Sequence, residues 1–209
     1  MNSELLKYND VSISYGEKEV LSNFNLEIHK GDRILLKGRS GAGKSTLLKM
    51  PMGFAHPTSG ILYFNGELLD SNTVWDARKR IAYVSQDLDI YEDSVNEFIE
   101  EVFSYSFNEG KLDRNKLRRL LVYLGFKKDI LNMKFADLSG GEKQRIGIIM
   151  SVLIGKDIYL LDEITSSLDS ALKEKVANYF LERKDWTLVI ISHDDIWEKE
   201  DVKVLQVDV

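Results

Sequence analysis

The sequence predicts an α/β fold: a core built on a mainly parallel sheet, an N-terminal antiparallel β portion and an inserted helical lobe. Three observations predict it. The segment Gly38-Arg39-Ser40-Gly41-Ala42-Gly43-Lys44-Ser45-Thr46 stands between the apolar run Ile34-Leu35-Leu36 and the helix-like Leu47-Leu48-Lys49-Met50, in strand, loop, helix order. Two continuous apolar runs, Ile158-Tyr159-Leu160-Leu161 and Thr187-Leu188-Val189-Ile190-Ile191, have the composition of strands buried on both faces of a parallel sheet. Between Gln86 and Leu138 alternation gives way to helical spacing, with Leu117, Leu120, Leu121 and Leu124 at i, i+3, i+4 and i+7.

From the N-terminus, Leu5 to Tyr15 reads as a strand, because Val11, Ile13 and Tyr15 alternate with Ser12 and Ser14. A turn at Gly16-Glu17-Lys18 leads into a second alternating strand, Val20 to Ile28, so the early sheet is partly antiparallel. Lys30-Gly31-Asp32 then turns into the strand that feeds the glycine-rich loop. Pro51 sits late in the helix that begins at Lys44, where its missing N–H should kink or end it. Pro57-Thr58-Ser59-Gly60 and Asn65-Gly66 bracket a strand at Ile61-Leu62-Tyr63-Phe64 that ends in a tight hairpin-type turn. Ile81-Ala82-Tyr83-Val84 is the next strand. Beyond the helical stretch, Ile146, Ile149, Met150 and Leu153 mark one face of a helix that starts at Ser139. A helix from Ser170 to about Glu182, with Leu172, Val176, Tyr179 and Phe180 inward, joins the two buried strands as a βαβ unit. Val202 to Val207 is strand-like, and no C-terminal regulatory domain is expected after it.

The 209 residues, 44% of them hydrophobic, suffice for one well-cored domain. We assign 1–209 to that domain, with the core at 1–86 and 139–209 and the helical lobe at about 87–138. A net charge of −6, from 28 basic and 34 acidic residues well interspersed, gives no electrostatic footprint for a polyanion, which disfavours nucleic acid as a partner. Without cysteine there is no disulfide, thiolate metal site or thiol nucleophile. The first ten residues lack a basic end followed by an apolar core, so no secretory signal is expected. The most apolar stretch, Ile146 to Gly155, is about half of what a bilayer span needs, so any membrane role must come through a partner.

The 38–46 segment is a phosphate-binding loop in the expected setting, and it makes the core that of a P-loop NTPase. A triphosphate is a dense anion that must be met by many short-range donors. Gly38, Gly41 and Gly43 let backbone N–H groups curl inward, while Arg39, Ser40, Ala42 and Thr46 complete the loop and the helix start adds its dipole. Lys44 reaches toward the β- and γ-phosphates, and the Ser45 hydroxyl is a ligand for magnesium. A plain strand-to-helix turn needs one or two glycines, not three followed at once by a lysine and two hydroxyls.

Asp162-Glu163 closes a buried strand, where two carboxylates are costly unless they face an open site at the strand end. Taken alone the pair also fits a solvated strand end or a helix cap. With the phosphate loop upstream, Asp162 is a candidate magnesium ligand and Glu163 a candidate for polarising the attacking water. Leu138-Ser139-Gly140-Gly141-Glu142 opens a helix with capping-box spacing between Ser139 and Glu142. Capping does not explain two glycines in a first turn, since each costs helix stability. Bare backbone at Gly140 and Gly141 leaves the helix start open to a phosphate.

With these residues in view, the chain resembles the ATP-binding cassette (ABC) ATPases, the nucleotide-binding subunits of ABC transporters. The likeness runs from Tyr15 to His193 in the family's motif order: the phosphate loop, Gln86 after Tyr83-Val84-Ser85 as the glutamine loop, the signature Leu138 to Glu142, Ile158 to Glu163 as the second nucleotide motif, Ser167-Leu168-Asp169 as the D-loop, and Ser192-His193-Asp194 as the histidine switch. The signature discriminates, because phosphate loops occur in many unrelated NTPases.

The resemblance implies ATP and magnesium as cofactors, and an ATPase reaction that powers transport. It implies that Tyr15 stacks on adenine, that Gln86 links magnesium to the transmembrane contact, and that His193 contacts the γ-phosphate. By sequence alone Tyr15 reads as a sheet aromatic, His193 as a strand-end histidine and Gln86 as a surface polar residue. The resemblance further implies a separate transmembrane permease subunit and a cytoplasmic, peripheral location on the membrane through it. It also implies a homodimer in which Ser139, Gly140 and Gly141 of one copy close over ATP on Lys44 and Ser45 of the other. Ile164 stands where the family usually has proline. That departure, with Tyr91-Glu92-Asp93-Ser94-Val95, is similar to ATPase subunits of bacterial metal (iron) exporters. A soluble non-transport ABC-type ATPase is opposed by the acidic balance, the single cassette and the lack of a long heptad insertion. A regulatory ATP-binding module without turnover is opposed by Glu163, Gln86 and His193 together.

Overall fold

The computed structural model describes residues 4–85, 92–127 and 129–207. Strand β1 (Glu4–Tyr15) and strand β2 (Lys18–His29) pair antiparallel, and β3 (Arg33–Lys37) leads through the phosphate loop into helix α1 (Lys44–Lys49). α1 stops where expected: Pro51 lies in a 3-10 turn over Met50–Met52, where its missing N–H breaks no α-helical bond. Strands β4 (Ser59–Phe64) and β5 (Glu67–Leu68) form a hairpin whose turn residues Asn65 and Gly66 have φ of 51° and 79°, the left-handed pair that the Asn-Gly dipeptide calls for. Helix α2 (Val74–Arg80) then precedes β6 (Ile81–Val84).

Helices α3 (Val95–Ser104) and α4 (Arg114–Tyr123) occupy the helical stretch, each started by a side-chain cap, Ser94 with Glu97 in a capping box and Asp113. Helix α5 (Gly140–Ile154) follows the signature, then β7 (Ile158–Asp162), α6 (Ser170–Leu181), β8 (Thr187–Ile191) and β9 (Lys203–Gln206). No helix among the described residues is long and apolar enough to cross a membrane.

The strands form two sheets. One is four-stranded and antiparallel, in the order β2-β1-β4-β5; the other is five-stranded and parallel, in the order β6-β7-β8-β3-β9. The antiparallel strands thus stand apart as their own sheet rather than as part of the parallel one. The burial patterns give the reason: β7 and β8 are buried at every residue, while β2 keeps exposed residues between its inward ones and so has only one face to bury.

The parallel sheet divides two apolar clusters along its pleat. Ile158, Leu160, Val189 and Ile191 point toward the antiparallel sheet and α1, whereas Tyr159, Leu161, Leu188 and Ile190 point toward α5, α6 and the helical stretch. Two helices depart from their sequence patterns. α5 is buried on more than one face, at Ile146, Ile148, Ile149, Met150, Val152 and Leu153, because it packs against both β6 and α4. On α6 the buried residues are Val176, Ala177, Phe180 and Leu181, with Leu172 and Tyr179 only half-buried.

Candidate active site

The phosphate loop lies at the C-terminal end of β3, which β8 and β7 flank in register, so Lys44, Asp162 and His193 come to one edge of the parallel sheet. Gly41 and Gly43 both have φ of 81°, a backbone that side chains resist. At Gly43 a Cβ would also come within 3.2 Å of Ile13 and 3.3 Å of Val20, so the loop is seated directly on the antiparallel sheet. The buried Lys44 amine donates to the carbonyls of Gly38, at 2.7 Å, and Arg39, at 2.9 Å, which holds the cation in the mouth of the loop.

Tyr15, Ser40, Gly41, Gly43, Lys44, Ser45, Thr46, Glu163, Ile191 and His193 line one cavity of about 290 Å³. Gly38 and Arg39 line an adjoining one, again with His193. Tyr15 projects its ring from the strand end, 61% exposed, with its hydroxyl 2.8 Å from that of Thr46. Ala42 is buried behind the loop. Thus the loop residues, Tyr15, Glu163 and His193, scattered over most of the sequence, meet around one space.

Beneath that space Asp162 is buried, with one carboxylate oxygen accepting from the Ser45 hydroxyl at 3.0 Å and the other from the Tyr83 hydroxyl at 3.0 Å. Two hard oxygen donors brought together next to a phosphate loop are of the type magnesium takes. Glu163 has φ of 53°, a left-handed conformation worth of order 1–3 kcal/mol of strain in a residue with a side chain. Three hydrogen bonds over-determine it: its N–H donates to Ile191 O at 3.0 Å, and its carbonyl accepts from Ser166 N at 3.1 Å and Gln144 Nε2 at 3.2 Å. Its carboxylate lies 3.4 Å from His193 Nε2. Burial pushes the Glu163 carboxyl up from its ordinary value and Asp162 pushes the same way, while His193 and Lys44 oppose.

The loops bearing Glu163 and His193 are cross-linked. The Thr165 hydroxyl donates to Asp194 at 2.7 Å, Lys173 of α6 donates to the other Asp194 oxygen at 2.5 Å, and the Trp197 indole N–H reaches Thr165 at 3.3 Å. Burial opposes ionisation of Asp194, but the bonds from Lys173 and Thr165 hold its carboxyl below the usual carboxylate range.

Ser139, Gly140 and Gly141 do not line the Lys44 cavity. Ser139 and Glu142 close the expected capping box, with Glu142 accepting from Ser139 N at 2.9 Å. Gly140 faces open space, but a Cβ at Gly141 would sit 2.8 Å from the carbonyl of Ser167. The second glycine therefore answers a close backbone approach as well as leaving the helix start bare. Gln86 lies outside the described residues. Sequence reasoning missed Tyr83, Gln144, Thr165 and Lys173; the one signal available was Tyr83, a polar group inside the apolar run Ile81-Ala82-Tyr83-Val84, whereas Gln144 stands among the charged residues Glu142, Lys143 and Arg145 and gave none.

The family model for ABC transporters matches residues 21–166. The chain is 32% identical over 196 residues to the "Probable iron export ATP-binding protein FetA" of Escherichia coli (strain K12), covering 92% of this chain and 86% of that one. It is 35% identical over 190 residues to a "Probable ABC transporter ATP-binding/permease protein" of Haemophilus influenzae (strain ATCC 51907 / DSM 11121 / KW20 / Rd), covering 88% of this chain and 34% of that protein, about a third of its length. Among solved structures, the dimeric bacterial ABC transporter cassette MJ0796 superposes with a TM-score of 0.81 at 27% identity, over 97% of this chain and 95% of that one. The chain belongs to the ABC transporter family and is one of its ATPase subunits.

Proposed function

We propose that this ATPase drives export of a metal ion through a separate transmembrane permease, as a nucleotide-sandwich homodimer on the cytoplasmic face of the membrane. The observation that carries the hydrolytic part is the convergence of Lys44, Ser45, Glu163 and His193 on one cavity with Asp162 directly beneath. Tyr15 stacks on adenine, and the loop from Gly38 to Thr46 takes the phosphates, with Lys44 exchanging the Gly38 and Arg39 carbonyls for phosphate oxygens. Ser45, Asp162 and Gln86 would hold magnesium, which when bound would supply positive charge to offset that of the phosphates. Glu163 accepts a proton from water as its oxygen bonds to the γ-phosphorus and the bond to the ADP oxygen breaks. His193, beside Glu163, contacts the γ-phosphate. The partner copy's Ser139, Gly140 and Gly141 close the far side.

Likeness to the Escherichia coli protein named for iron export, together with Ile164 after the catalytic glutamate, supports a metal as cargo. An exposed aromatic shelf supports a protein partner: Phe54 and Trp75 stand 61% and 59% exposed on either side of Arg78, and Trp75 and Arg78 line a cavity of about 530 Å³. The test is twofold. Tagged chain purified from host membranes should carry a membrane protein, and recovery of soluble proteins alone sinks the permease. Cells lacking the chain should accumulate metal under metal excess, and unchanged metal content sinks the cargo.

A further inference from the structure

Gln144 sits on the buried side of α5 at 1% exposure, and no motif reading gives it a task. Its Nε2 donates to the Glu163 carbonyl at 3.2 Å, while its Oε1 has no hydrogen-bond partner among the described residues. The acceptor fixes the orientation of the amide, because only the NH₂ end can donate to a carbonyl. A buried amide with an orphaned oxygen is worse for stability than an apolar side chain of the same length. Packing therefore does not account for a glutamine here, and its single bond does point to a task.

That bond falls on the strained residue of the site. Glu163 is left-handed at φ 53°, and the direction of its carboxylate toward His193 depends on how its peptide is held. Two of the three bonds to that peptide come from the neighbouring strand and turn; the third comes from α5. The same helix begins at the Ser139 cap, and its Gly141 backbone rests against Ser167 just beyond the Glu163 turn.

We propose that Gln144 is a positioning residue: it aims the Glu163 carboxylate and ties it to α5. Seating Ser139 of one protomer on the partner's nucleotide and orienting that protomer's own Glu163 then become a single event, so each site senses closure of the other. The inference rests on Glu163 as the base and on the two-fold arrangement proposed above.

Steady-state phosphate release by the full chain tests it. Gln144→Met, which keeps the length and removes the donor, should lower kcat about tenfold while KM for ATP-magnesium changes less than about twofold. Its melting temperature should not fall, which separates aiming from mere packing. Gln144→Asn keeps the amide one methylene too short for the bond and should show the same loss of kcat, so the test survives if the methionine variant does not fold. Glu163→Gln runs alongside as the control. Unchanged kcat in a folded Gln144 variant, with Glu163→Gln inactive, overturns this inference and leaves the base standing. Undiminished turnover in Glu163→Gln overturns both.

Discussion

The phosphate loop and the signature segment are both glycine-bearing helix starts, and they are built in opposite ways. At the loop, Gly41 and Gly43 are left-handed, Lys44 is buried and pinned to two carbonyls, and a cavity stands open in front. At the signature, Ser139 is exposed, its cap is closed by its own Glu142, and Gly140 faces open space. The first is a concave receptacle whose walls come from one chain. The second is an exposed helix start with its dipole aimed outward and, among the described residues, nothing placed to receive it. Two unlike half-sites suit a self-complementary two-fold contact, in which each half meets the other on the partner.

The largest expected effect tests that reading. Lys44→Ala removes the receptacle's cation and Ser139→Arg blocks the outward helix start, and each alone should reduce turnover to background. Mixed together they should regain measurable turnover, since a heterodimer rebuilds one site from two intact halves. In a Glu163→Gln background, Ser139→Arg should also abolish the ATP-dependent dimer seen by sedimentation while the monomer still binds ATP. A mixture that stays silent, with the trapped chain monomeric in ATP both alone and in host membranes, would leave the two regions unrelated.

Next in size, Glu163→Gln should bind ATP-magnesium and turn it over about a hundredfold or more slowly. Near-normal phosphate release would remove Glu163 as the base and restrict the receptacle to binding.

Acidity separates the two regions by their carboxylates. Burial raises the Glu163 pKa, while hydrogen bonds from the Ser139 side chain and backbone lower that of Glu142. A base with a raised pKa is protonated first, so kcat should fall as pH drops through a value above the ordinary glutamate range of about 4.3. Glu142, with its folded pKa depressed, contributes its capping stability above the unfolded pKa and loses it only as pH falls through the lower folded value. Mild acid should therefore stop turnover while the trapped dimer persists. Simultaneous loss of both would mean that the environments of the two carboxylates do not differ as described.

Much of the receptacle was legible in the chain because its chemistry is local. Lys44 and Ser45 sit in one loop, and Asp162-Glu163 announce themselves as charge at the end of an apolar run. What escaped is contact across the sequence: Tyr83 on Asp162, Gln144 on Glu163, and Lys173 and Thr165 on Asp194 depend on the packing of β6, α5 and α6 around β7 and β8. Helix α2 escaped for a different reason. Over Val74–Arg80 it buries only Val74 and Ala77 and has no side-chain cap bond, so neither periodicity nor a start signal marks it. The all-round burial of α5 was hidden because periodicity reports the strongest face and says nothing about a second neighbour.

The smallest effect concerns the rim of the receptacle, where the Tyr15 ring stands largely exposed. An exposed ring can contribute stacking, worth about 1 kcal/mol at the low end for a base on an aromatic face, so Tyr15→Ala should weaken nucleotide binding by roughly fivefold. The hydroxyl is a separate matter. It bonds Thr46 in the first turn of α1, which steadies the ring over the loop, but a hydrogen bond at an exposed site is readily replaced by water. Tyr15→Phe should therefore bind ATP within about twofold of the parent, because the face that stacks is kept. Thr46→Val, which removes the bond from the other side, should match Tyr15→Phe. If phenylalanine instead weakens binding as much as alanine does, Tyr15 acts through Thr46 on the loop and not through adenine. The rim would then belong to phosphate binding, and discrimination among nucleobases, measured as ATP against GTP affinity, should be the same in all three variants.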